Sequence, residues 1–221
     1  MLKTISDICK YKIVPLVSCE NTSDVEQVVG AICEGGINVV EVPFRSKEAI
    51  ECLKIVSRKF PDLTIGAGTV LTLAQAKEAI EGGAKFIVSP GFNDDVVKYA
   101  INQNICVFPG VMTPTEIGKA IAFGLNLVKF FPAETAGGIA ALKAFRGPFP
   151  QVMFMPTGGI NELNFEGYLN QKNVFAVGGS WIASKRLIAN HDYSEITRLS
   201  QQALGVVVNI NAQKIAPTKV G

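Results

Sequence analysis

Short runs of β-branched and aromatic residues alternate with amphipathic stretches along the whole chain. The runs start near Ile13, Val39, Thr64, Phe86, Cys106, Leu127, Val152 and Val174. Successive starts lie about 20 to 26 residues apart, the length of one strand, loop, helix and loop in a parallel crossover. Residues 23–36, 46–60, 72–83, 93–103 and 113–124 carry helical spacing, many opening on a capping residue and several closing on glycine. Eight such units predict an α/β fold, a closed (β/α)8 TIM barrel. An open doubly wound sheet is the alternative, and it usually needs fewer strands. The alternation never breaks, so residues 1–221 read as one domain. The segments before Ile13 and after Tyr193 read as helices external to the eight units that cap the barrel or extend its last helix, the first an extra N-terminal helix. Residues 212–221 read as a loose tail.

Two of the apolar strands carry charges. In the sixth, Lys129 stands within Leu127-Val128-Lys129-Phe130-Phe131-Pro132-Ala133. Burial disfavours an ammonium group, so its pKa falls toward neutrality and the amine becomes a nucleophile able to form an imine with a carbonyl. A lysine that snorkels out of the sheet, or that pairs with one carboxylate, is the structural alternative. Alternation by twos sets Leu127, Lys129 and Phe131 on one side, so Phe131 shares the lumen, excludes water and packs on substrate. The second strand, Val39-Val40-Glu41-Val42-Pro43-Phe44-Arg45, places a carboxylate among valines. Glu41 reads as a general acid/base with a raised pKa. Arg45 reads as a two-pronged grip on a substrate carboxylate. An internal salt bridge between the two is the alternative, and Pro43 stands where it can break the pleat.

In a barrel, chemistry gathers at the C-terminal ends of the strands. There Gly66-Ala67-Gly68-Thr69, Ser89-Pro90-Gly91-Phe92 and the loop from Pro109 to Pro114 supply backbone and hydroxyl donors. The first is no dinucleotide fingerprint, because Leu71 occupies the place of the third glycine. Strands seven and eight end in Thr157-Gly158-Gly159 and Gly178-Gly179-Ser180. Paired glycines let N–H groups approach an anion, and the loops after these two strands are the usual phosphate site of the architecture. A phosphorylated substrate follows.

Composition narrows the classes further. With 48% hydrophobic and 18% charged residues the chain suits a large core. A net charge of +2 without basic clusters argues against nucleic acid as a partner. The start of the chain lacks a signal-peptide core and no apolar run reaches spanning length, so a cytoplasmic protein without membrane attachment is expected. Cys9, Cys19, Cys33, Cys52 and Cys106 are odd in number and far apart, and read as small buried hydrophobes in a reducing compartment. His191 is the single histidine and reads as a surface or capping residue. Histidine triads and multi-histidine metal sites therefore lack their parts, and no metal or cofactor is expected.

Taken together, these motifs resemble the 2-keto-3-deoxy-6-phosphogluconate (KDPG) and 4-hydroxy-2-oxoglutarate (KHG) aldolases, class I pyruvate aldolases. The resemblance runs through Gly66-Ala67-Gly68-Thr69-Val70, Ser89-Pro90-Gly91, Lys129 to Glu134, Gly147-Pro148-Phe149-Pro150, Pro156 to Ile160 and Val177 to Ser180. It implies a (β/α)8 homotrimer acting on a keto acid, with Lys129 forming the Schiff base with pyruvate and Glu41 shuttling protons. It also implies that Arg45 and Thr69 hold the pyruvyl carboxylate, that Pro90 and Phe131 pack on substrate, and that Thr157, Gly158, Gly159, Gly179 and Ser180 hold the phosphate. One departure stands out: the family reads Glu-Val-Thr-Leu-Arg-Thr where this chain has Glu41-Val42-Pro43-Phe44-Arg45-Ser46. Proline there resembles the aldolase of the phosphogalactonate pathway, a branch that tends to lack the arginine. That aldolase is one alternative reading, and a phosphate-binding barrel of the epimerase or synthase type is another.

Overall fold

A computed structural model describes residues 1–18 and 20–215. Nine short parallel strands make eight staves: β1 (Ile13–Pro15), β2 (Val39–Pro43), β3 (Thr64–Gly68), β4 (Phe86–Val88), β5 (Cys106–Phe108), β6 (Gly110–Val111), β7 (Leu127–Phe130), β8 (Met153–Pro156) and β9 (Val177–Gly179). β5 and β6 are one stave interrupted at Pro109. Sheet order runs β2-β3-β4-β5 and β6-β7-β8, and β9 pairs with β1. Two further parallel bridges, Leu16 to Glu41 and Thr157 to Gly178, join the remaining edges and close the ring. Closure leaves no unpaired sheet edge among the described residues, which is the barrel expected from the sequence. The first six predicted starts coincide with observed ones; the seventh falls at Met153, and the eighth at Val177 rather than Val174. Val174 enters the sheet only through an isolated bridge to Phe154.

The helices are α1 (Leu2–Tyr11), α2 (Val25–Glu34), α3 (Ala49–Lys59), α4 (Leu73–Glu81), α5 (Asp94–Asn102), α6 (Pro114–Ala122), α7 (Gly138–Phe145), α8 (Phe165–Leu169), α9 (Lys185–Ala189) and α10 (Tyr193–Ile215). Local chemistry sets several starts. Thr72 and Thr113 close capping boxes with Gln75 and Glu116, and Asn93 caps α5 through two backbone N–H groups.

The extra N-terminal helix is present and lies against the N-terminal ends of the staves: Thr64 Oγ1 donates to Asp7 Oδ2 at 2.6 Å, and Cys106 Sγ meets the Met1 carbonyl. The C-terminal helix takes one of the two places expected of it, extending the last helical layer. α10 packs on α2, with Thr197 Oγ1 donating to the Ala31 carbonyl and Ser200 seated where Gly35 has no side chain, so it completes the outer ring of the eighth unit. Residues 212–215 continue this helix, so the predicted tail fails there; its remainder, residues 216–221, lies outside the described residues. Cys52 and Cys106 are buried as expected, Cys9 and Cys33 only half so, and Cys19 is not among the described residues.

Candidate active site

The lumen is filled from below by rings. Phe108 lies 6.0 Å from Phe86 and 5.7 Å from Phe175 between ring centroids, and Gly66 lacks a side chain where Phe86 lies. Above this layer the structure places the two charges picked from the sequence. Lys129, the third residue of β7, pairs with Gly110 on one side and Met155 on the other and is 1% exposed. Its Nζ sits 5.0 Å from the centroid of the Phe131 ring, as the alternation by twos requires. Burial lowers its pKa first; Glu41 pulls the other way, and Arg45 adds a smaller lowering. The amine therefore exists as a free base far more readily than an ordinary lysine.

Glu41 is fully buried at the centre of β2, between Gly66 of β3 and Leu16 of the first stave. Burial pushes its carboxyl up, and the nearby Lys129 and Arg45 charges oppose that only in part. Among the described residues neither carboxylate oxygen has a hydrogen-bond partner. A buried carboxylate without partners is costly unless a ligand or a proton completes it. This geometry also sets aside the internal Glu41–Arg45 salt bridge. Gly68, the last residue of β3, is required here, since a Cβ on it would overlap Glu41 Oε1.

Strand β2 stops at Pro43. Beyond it the Phe44 N–H donates to the Gly68 carbonyl and the Arg45 N–H turns back onto the Pro43 carbonyl. Arg45 is thereby carried to the rim, exposed, where its Nε donates to Thr69 Oγ1 at 3.1 Å. Thr69 is itself held at φ +56°, a left-handed conformation uncommon for a β-branched residue. The two residues picked as carboxylate binders thus touch. Pro90 is half-buried, and its carbonyl fills the space beside Gly110, the strand partner of Lys129.

At the seventh and eighth strand ends, Thr157 is buried and Gly158 and Gly159 have φ of +95° and +83°, open only to glycine at low cost. Thr157 bridges to Gly178, bringing the two glycine loops side by side. Among the described residues, the N–H groups of Gly158, Gly159 and Ser180 have no acceptor. Gly179 has a packing reason as well: a Cβ there would overlap the Trp181 ring. Ser180 is exposed at the rim.

Sequence reasoning missed three features of this rim. Gly68 was read as a donor loop rather than as room for Glu41. Glu134 reaches the buried Tyr168 hydroxyl, a contact between residues 34 apart that no local pattern signals. Glu20 and Lys185 form a 2.5 Å ion pair in the cleft that Arg45 also lines, joining the first and eighth loops. His191 is exposed next to the end of α9, as expected. Among the described residues no cluster of potential metal ligands occurs, and no helix is long and apolar enough to cross a membrane.

The chain matches the family model for KDPG and KHG aldolase over residues 5–199. It is 40% identical over 207 residues to the 2-dehydro-3-deoxy-phosphogluconate aldolase of Treponema pallidum (strain Nichols), spanning 94% of this chain and 99% of that protein. It is 38% identical over 192 residues to the KHG/KDPG aldolase of Escherichia coli (strain K12), spanning 87% and 90% respectively. Among solved structures, that of KDPG aldolase from Legionella pneumophila, with pyruvate captured at low pH as a covalent carbinolamine intermediate, is similar with a TM-score of 0.88 and 40% identity. The match covers 90% of this chain and 97% of that one.

Proposed function

The chain belongs to the KDPG and KHG aldolase family, and we propose that Lys129 and Glu41 carry out its Schiff-base cleavage of 2-dehydro-3-deoxy-6-phosphogluconate. The products are pyruvate and glyceraldehyde 3-phosphate. 4-Hydroxy-2-oxoglutarate is cleaved by the same steps to pyruvate and glyoxylate, in keeping with the dual name of the relative at 38% identity. The observation that carries the reading is the pair of opposed, buried groups: an amine whose pKa is lowered and a carboxyl whose pKa is raised, both inside one lumen.

Lys129 Nζ adds to the C2 ketone, and loss of water leaves an iminium. Glu41 takes the C4 hydroxyl proton, directly or through one water; the C3–C4 electron pair moves onto the iminium, giving an enamine and releasing the aldehyde. Protonation at C3 and hydrolysis of the imine then free pyruvate and restore the amine. The iminium supplies the electron sink, so no divalent ion is needed for charge stabilisation. Arg45 and Thr69 hold the pyruvyl carboxylate, Phe131 and Pro90 wall the reacting carbons, and Thr157, Gly158, Gly159, Gly179 and Ser180 receive the phosphate. The unsatisfied Glu41 oxygens, the Arg45–Thr69 contact and the free loop N–H groups support these roles. The proposal extends to a cytoplasmic homotrimer, on the strength of the family likeness; a sedimentation mass of one chain would overturn the trimer.

Pyruvate with borohydride should inactivate the enzyme and leave a pyruvyl-derived adduct on Lys129 by peptide mass mapping, and turnover should survive exhaustive chelation. Labelling of a different lysine removes the Schiff-base assignment. Loss of turnover that zinc or magnesium restores points to a metal-dependent aldolase instead.

A further inference from the structure

We infer that Glu134, fastened by Tyr168, is a positioning residue that holds the Thr157–Gly159 loop in its anion-accepting shape; the inference rests on the phosphate reading of that loop. Tyr168 lies on α8, is 1% exposed, and donates its hydroxyl to Glu134 Oε1. That is the only hydrogen bond of the hydroxyl among the described residues. Glu134 is tied through its backbone too: its N–H donates to the Gly158 carbonyl at 3.1 Å, next to an Ala133 N–H bond of 2.8 Å to Thr157. Its Cβ and Cγ stand where a side chain on Gly159 would be. Gly138, at φ +55°, leaves the room that the Tyr168 hydroxyl and Glu134 Oε1 occupy.

The loop needs such a support. Two successive glycines at positive φ lose much conformational entropy on ordering, and among the described residues their N–H groups add no bond to the empty loop, whose ties run through its carbonyls, from Glu134 to Gly158 and from the Asn161 and Asn164 amides to Gly159. Glu134 supplies both a wedge against Gly159 and an anchor into the outer helices. Burial, together with the hydrogen bond and charge of Glu134, pushes the Tyr168 phenol up, so it remains a donor throughout the working range. Glu134 also follows Lys129 by five residues in one stapled segment, so the tie fixes how far the phosphate subsite lies from the imine. Such remote binding is effective only when the spacing is held.

The test is steady-state kinetics on the phosphorylated substrate and on 4-hydroxy-2-oxoglutarate, with inorganic phosphate as competing inhibitor. Tyr168→Phe, which keeps the buried ring, and Glu134→Ala are each expected to raise KM for the phosphorylated substrate and Ki for phosphate about tenfold, the scale of one hydrogen bond to a charged group. The change on 4-hydroxy-2-oxoglutarate should be several times smaller. Glu134→Gln retains an oxygen that accepts from Tyr168 and should return most of the loss. Equal losses on both substrates, or tighter phosphate binding in Glu134→Ala through removal of a repelling charge, overturn the inference. Absence of phosphate inhibition in the wild type brings down the phosphate reading itself. Inhibition in the wild type matched by both variants brings down only the role of Glu134.

Discussion

Glu41 and Arg45 act on the Lys129 amine with opposite sign, and that makes their roles separable. Glu41 holds the Lys129 pKa up and Arg45 holds it down, against the larger lowering by burial. In Glu41→Gln the pH of half-maximal pyruvate trapping by borohydride should move down; in Arg45→Ala, at saturating pyruvate, it should move up. The acid limb exists because only the neutral amine attacks, so trapping rises with pH through the folded-state pKa, below the 10.5 of an ordinary lysine. Turnover separates the two further. Glu41→Gln should lose about 10²–10⁴-fold in kcat while still trapping pyruvate, whereas Arg45→Ala should chiefly raise KM, by about ten- to a hundredfold. Shifts in the same direction would show that the two charges do not bear on the amine as their positions imply. The chemical types of these residues were legible in sequence, because a charge inside an apolar strand is conspicuous. The contact between Arg45 and Thr69 was not, since it depends on β2 stopping at Pro43 and on Thr69 adopting a left-handed backbone.

At the scale of elements, β3 matters to the chemistry through what it lacks. Gly66 gives way to the Phe86 ring and Gly68 to the Glu41 carboxylate, so one strand admits both the apolar floor and the acid/base above it. Gly68 is pinned by its pairing with Pro43 and by the bond from the Phe44 N–H to its carbonyl. Gly68→Ala should therefore displace Glu41 rather than the backbone. The expected result is a folded protein by circular dichroism that traps pyruvate yet turns over nearly as slowly as Glu41→Gln; wild-type kcat would show that Glu41 tolerates the displacement. Helix starts at Thr72, Asn93 and Thr113 were readable because caps are local. The start of the eighth strand was misplaced because Val174, Phe175 and Ala176 are apolar and buried without forming regular ladder pairs. Burial of that kind leaves the same hydrophobic trace as a strand.

For the whole molecule, the barrel separates stability from chemistry by end. Lys129 and Glu41 open toward the strand C-termini, where the glycine loops lie, while the N-terminal end is covered by α1. Asp7→Ala would leave the 1%-exposed Thr64 hydroxyl without its acceptor, a loss of about 1–3 kcal/mol. Urea unfolding should register that loss with kcat unchanged, and a matching fall in kcat would mean that the floor of the barrel couples to the site. The sequence by itself determined the number of units, the stave that each reactive residue occupies and the face on which Lys129 and Phe131 lie. Hydrophobic periodicity, glycine pairs and buried charges are properties of residues a few positions apart, and they survive without knowledge of the fold. Only the tertiary structure decided that α10 closes the outer ring, that the Glu41 oxygens are left without partners among the described residues, that Glu20 pairs with Lys185 and that Glu134 meets Tyr168. Each of these joins staves or helices far apart in the chain, and such contacts come into being only when the closed ring brings its strand ends together.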